Sequence, residues 1–187
     1  MTVASRRLSH PVLTIPSALI AVGTIAAVAA VLLLRQPGLY ESLLILSFGA
    51  VFTTISAHDA ETRLAPNRIV YPSFLGLALL TLPLGTGDFA LALAGAALAF
   101  VLLLAVALAG RGSMGYGDVK YGTICGLALG FSGVLPMLLL AFVGGGVIAA
   151  FVLVTRIRRR KDAIAFTPFL TFATLGTMLL FPGYLTI

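Results

Sequence analysis

The chain has 187 residues, 60% of them hydrophobic and only 10% charged, with no tryptophan and a formal charge of +6. That balance lies far outside the range of a water-soluble or disordered chain and leaves an integral membrane protein. The single cysteine, Cys125, excludes a disulfide within the chain and a cysteine-built zinc site.

In chain order the apolar runs fall at about residues 16–34, 39–57, 69–86, 89–109, 119–131, 134–155 and 166–187. Most approach or exceed the roughly 18–20 residues that cross a bilayer as helix, while the fifth is short. The expected fold is therefore all-α, a polytopic transmembrane helical bundle of about 6–7 spans. Residues 1–187 read as one integral membrane domain, with no room for a separate extramembrane unit. The first run, 16–34, is longer than the roughly 7–15-residue core of a signal peptide and reads as an extra, retained N-terminal helix. Short breakers separate the runs: "RQPG" at Arg35–Gly38, "LGTGD" at Leu84–Asp88 and "GFSG" at Gly130–Gly133.

The basic residues orient this map. Arg6 and Arg7 precede the first run, Arg63 and Arg68 lie between the second and third, and Arg111 and Lys120 between the fourth and fifth. Arg156, Arg158, Arg159, Arg160 and Lys161 follow the sixth, so every Lys and Arg other than Arg35 falls on one side. By the positive-inside rule that side, and the N-terminus with it, is cytoplasmic. The cluster "RIRRRK" then reads as a topology determinant attracted to anionic headgroups, and no nucleic-acid partner is expected.

Six acidic residues remain to be explained. Glu41 and Asp88 sit in turns on the outer side and Asp162 closes the basic loop, all read as solvated. Asp59, Glu61 and Asp118 lie at cytoplasmic ends of spans, in "SAHDAETRLAPNRIVYP" and "GSMGYGDVKYG". On charge alone Asp118 reads equally as a helix cap, an ion-pair partner or a functional group facing the bundle. Gly115 and Gly117 bracket Tyr116 and would let an extended peptide lie beside Asp118. Two nearby carboxylates cleave a peptide without metal, one ionised and drawing a proton from water, the other protonated and donating it. Asp59 and Asp118 are the pair available. Asp118, near the start of its helix, is the expected base, and Asp59, at the end of its own, the expected acid.

Around this pair, Asn67 after Pro66 reads as a helix cap or a substrate contact. Lys120 reads as an interface anchor or as a group that tunes Asp118. Glu61 reads as the partner of Arg63 or as a contact for a basic peptide. His58 and His10 do not make a metal site, and Cys125 reads as a small buried residue. No metal or cofactor is expected.

At this point the residues resemble the prepilin peptidase family, intramembrane aspartic peptidases that process type IV pilins and pseudopilins. "GYGDVKYG", Gly115 to Gly122, resembles its GxGD motif and following lysine, with Asp118 on the catalytic aspartate. "DAETRLAPNRIVYP", Asp59 to Pro72, is similar to its first catalytic segment, an aspartate followed by a Pro-Asn pair. "IAFTPFLTFA", Ile164 to Ala173, resembles its late Pro-Phe-Leu segment and brings Pro168 to the head of the last helix. The likeness spans about residues 40–187, with Ala65 standing where isoleucine is usual and Thr167 where glycine is common.

The resemblance implies catalysis by Asp59 and Asp118, with Gly115, Gly117, Lys120, Asn67, Glu61 and Pro168 binding substrate or shaping the site. It also implies removal of a short basic cytoplasmic leader, often after a glycine, from pilin-like precursors with an apolar N-terminal helix. The expected location is the inner, cytoplasmic membrane, with lipid around the bundle and the active site facing the cytoplasm. The paired CxxC insert of bifunctional members is absent from this sequence. The resemblance is thus to the peptidase-only branch of Tad or Flp pili and archaeal preflagellins, without N-methyltransferase activity. Two rivals stay open: a presenilin-like protease cutting inside a transmembrane segment, and a proton-coupled transporter using the same charged residues.

Overall fold

The computed structural model describes residues 17–62, 67–110, 114–155 and 166–181, with all side chains there except those of residues 60, 61, 152 and 153. The described residues are helical almost throughout, without a strand. This is the all-α architecture that apolar, self-bonded backbone requires where water offers no partner. The helices are α1 (Ser17–Arg35), α2 (Leu39–Thr62), α3 (Asn67–Thr81), α4 (Thr86–Ala109), α5 (Tyr116–Val154) and α6 (Thr167–Leu180). Pro37 and Gly38 separate α1 from α2, and the Gly38 amide donates to Glu41 Oε2 at 3.1 Å. Glu41, expected only as a solvated turn residue, thus caps its own helix start. A 3-10 turn, Leu82–Leu84, follows α3 and ends at Gly85, whose φ of 123° suits a residue without Cβ.

The 39 residues of α5 are helical except at Gly130, where φ is 66° and ψ −177°. A straight helix would carry Gly145 about 40 Å beyond Asp118. Instead Asp118 accepts from Thr167 and Gly145 lies against Phe166 and Phe169, so both meet the head of α6. The chain therefore doubles back at Gly130, giving a limb of residues 116–129 that runs parallel to α6 and a limb of residues 131–154 that returns. The expected breaker "GFSG" is narrower than it reads: the break is Gly130 alone, and Phe131 to Gly133 are already helical.

Among the described residues five helices are long and apolar enough to cross a membrane, with α5 counted once; α6 is a shorter apolar helix of 14 residues. Exposed Leu19, Val22 and Ile25 on α1, and Leu135, Leu139 and Val143 on α5, give a surface suited to lipid. In the interior α4 and α5 approach through glycines. A Cβ at Gly95 would lie 2.4 Å from the carbonyl carbon of Gly130, and one at Gly126 would lie 2.4 Å from the Gly95 oxygen. α1 packs on α2 and α6, with Val28 seated over Gly49 and the Arg35 guanidinium donating to the Leu179 carbonyl at the end of α6.

The tails with Arg6, Arg7 and His10, the loop residues Arg63 to Pro66, Arg111, and the stretch from Arg156 to Asp162 lie outside the described residues, as does the end of the seventh run, 182–187.

Candidate active site

Three helix ends meet at one end of the bundle. α2 contributes Asp59 from its last turn, α5 contributes Asp118 from its first, and α6 contributes Thr167 as its first residue. The sequence sets each position locally. Gly115 precedes α5, and its carbonyl accepts the Asp118 amide at 3.1 Å, closing the first turn. Pro168, in the first turn of α6, has no amide to leave unsatisfied and is buried.

The residues Asp59 and Asp118, 59 positions apart in sequence, are brought to a single hydroxyl. Thr167 Oγ1 donates to Asp118 Oδ1 at 2.9 Å. The same hydroxyl lies against Asp59, and the two carboxylates are near enough to act on each other's charge. The backbone amides of Gly115 and Thr167 also face Asp118. Asp118 is half-buried, whereas Asp59 is 5% exposed and its Oδ2 has no hydrogen-bond partner among the described residues. Asp118 is therefore the better furnished with donors, and Asp59 Oδ2 is left without one. That asymmetry suits an acid and a base working as a pair.

Gly115 and Tyr116 are exposed beside Asp118, and a Cβ at Gly115 would come within 3.4 Å of Asp118 Oδ2. The approach to this carboxylate is lined by bare backbone. Gly117 lies in the first turn of α5. Lys120 turns elsewhere: its Nζ donates to Asn67 Oδ1 at 2.9 Å and sits 5.1 Å from the centre of the Tyr71 ring. Lys120 thus ties α5 to the head of α3, and Asn67 spends its side-chain oxygen on that ammonium. The Glu61 side chain lies outside the described residues. Among the described residues no three His, Cys, Asp or Glu side chains gather in a metal-binding group.

One helical turn inward lies a layer that the sequence reading missed. Ser56 and Tyr121 each meet the Thr171 hydroxyl at 2.5 Å, and all three are fully buried. Thr171 also donates to the Thr167 carbonyl at 3.1 Å. Ser56 is three residues before Asp59, Tyr121 three after Asp118, and Thr171 four after Thr167, so the hydroxyls share the faces of the groups above them. A further turn in, buried Cys125 lies beside Thr174. Helical spacing from the two aspartates was the available signal for this layer.

The fold and the site define a polytopic helical membrane protein with a carboxylate pair gathered at one end of its bundle. Within that class, the Type IV leader peptidase family matches residues 45–150, more than half of the chain, and the chain belongs to it. It is thereby a membrane protein of a peptidase family. Asp59 and Asp118 fall inside the matched stretch, while Thr167 and Pro168 fall beyond it. No curated protein and no solved structure matches the chain.

Proposed function

We propose that this protein is an aspartic endopeptidase of the inner membrane that removes the short basic leader of pilin-like precursors from the cytoplasmic side, without methylating the new N-terminus. The observation that carries this reading is the meeting of Asp59 and Asp118 at one hydroxyl from helices that are remote in sequence. In the proposed reaction a water held between the carboxylates loses a proton to Asp118 as its oxygen attacks the scissile carbonyl carbon. Asp59 gives its proton to the carbonyl oxygen, forming a neutral tetrahedral diol. Collapse of the diol returns a proton to Asp59 and passes the one on Asp118 to the leaving nitrogen, which restores both carboxyls.

The location of the pair supports leader cleavage over cutting within a transmembrane segment. Asp59 is in the last turn of its helix and Asp118 in the first of its own, at the bundle's end and not at mid-span. A leader held in the cytoplasm meets groups at that boundary, and the predominance of Lys and Arg on the same side supports the orientation. The bare backbone at Gly115 leaves room for an extended substrate strand beside the base.

Co-expression of a pilin-like precursor with wild type, Asp59→Asn and Asp118→Asn tests the reading by gel shift, with membrane insertion verified for each. Asparagine preserves shape but neither takes nor gives the proton. Wild type is expected to process the precursor and each variant to lose about 10²- to 10⁴-fold in rate. Comparable cleavage by either variant would make the aspartates structural.

A further inference from the structure

The hydroxyl between the two carboxyls has a direction. A threonine hydroxyl carries one proton and two lone pairs, and here the proton is donated to Asp118 Oδ1 at 2.9 Å. That one proton serves one carboxyl at a time, and while it lies on Asp118 the same oxygen presents lone pairs toward Asp59. An ionised Asp59 would meet them lone pair to lone pair, whereas a protonated Asp59 can donate. Asp59 Oδ2 is buried with no donor on it among the described residues, so a charge there would go uncompensated. His58 adjoins Asp59 along α2, and Lys120 on α5 is directed to Asn67 and Tyr71.

We infer that Thr167 is the positioning residue that divides the labour of the pair, fixing Asp118 as the base and Asp59 as the acid through a directed hydroxyl between them. The inference rests on the dyad reading above and adds a residue that lies outside the family match. Thr167 is itself held in place: it is fully buried, it opens α6 immediately before Pro168, and its carbonyl is anchored by Thr171 in the layer beneath.

The test uses the purified full-length protein in vesicles and a synthetic precursor with a basic leader and an apolar helix, comparing Thr167→Val and Thr167→Ser with wild type. Valine keeps the shape and removes the donor; serine keeps the donor. Thr167→Val is expected to lower kcat about 10- to 100-fold with KM nearly unchanged. The acid limb of its rate profile should move to higher pH, because the base loses the donor that favours its ionised form. Thr167→Ser should stay within about threefold of wild type and keep its profile. Thr167→Ala replaces the valine variant if that one fails to accumulate. A valine or alanine variant with wild-type kcat and profile overturns the inference, as does a serine variant that falls equally far. Asp59→Asn and Asp118→Asn run alongside: both inactive with Thr167 indifferent sinks the inference alone, and either active sinks the dyad reading itself.

Discussion

At the scale of single residues, what stands out in a sequence is charge, and what escapes notice is the neutral hydroxyl. Asp59 and Asp118 were legible because a carboxylate inside a chain with so few charges demands a reason. Thr167 was visible only as a departure from a pattern, and Ser56, Tyr121 and Thr171 not at all. Such hydroxyls usually bond a carbonyl of their own helix, as Thr174 does with Leu170 at 2.7 Å, and betray no tertiary role. Lys120, read as an interface anchor or as a group that tunes Asp118, reaches with its ammonium across to Asn67 and Tyr71. Lys120→Met keeps the stem and removes the charge. Because Asn67 and Tyr71 are exposed, the variant is expected to cost only about 1 kcal/mol of stability and to keep activity within about tenfold of wild type. Thermal unfolding and precursor cleavage check this, and a loss as deep as that of Asp118→Asn would mean that Lys120 acts on the carboxylate after all.

Among the elements, most helices could be read from the apolar runs because lipid and core alike select long, uncharged stretches. The sequence reading also separated the two limbs of α5, through the glycines near residue 130. It did not reveal which glycines the fold depends on, since glycine is common throughout these helices and only contact distances distinguish them. A methyl group at Gly126 meets backbone on α4, with the Gly95 oxygen 2.4 Å away, and backbone cannot swing aside. One at Gly122 meets the tip of the Leu103 side chain, which has other rotamers. Gly126→Ala is therefore expected to lose about 1–3 kcal/mol or more, and Gly122→Ala clearly less. A thiol-reactive fluorogenic dye can follow the unfolding of both, because the sole cysteine, Cys125, is buried until the bundle opens. Equal midpoints for the two variants would refute the close packing of α4 on α5.

For the whole molecule, composition alone identified a membrane bundle, and the distribution of Lys and Arg suggested its orientation. The meeting of α2, α5 and α6 at one end was not legible, because no local pattern encodes which helix ends become neighbours. One property of that meeting reaches past the protein. The 14 residues of α6 rise only about 21 Å, and the limb 116–129 is equally short, against a hydrocarbon layer of roughly 30 Å. Beside them the 24 residues of α4 rise about 36 Å. The segments that bear Asp118 and Thr167, packed inside the bundle, are thus shorter than the layer the bundle crosses, so the bilayer beside that end thins locally or admits water down to the carboxylates. Precursor cleavage should accordingly be faster in vesicles of 14-carbon acyl chains than in those of 22-carbon chains. A rate indifferent to chain length would mean that the mismatch is absorbed elsewhere. If the dependence holds, membrane thickness sets the pace of leader removal, and the surrounding lipid becomes a working part of the peptidase.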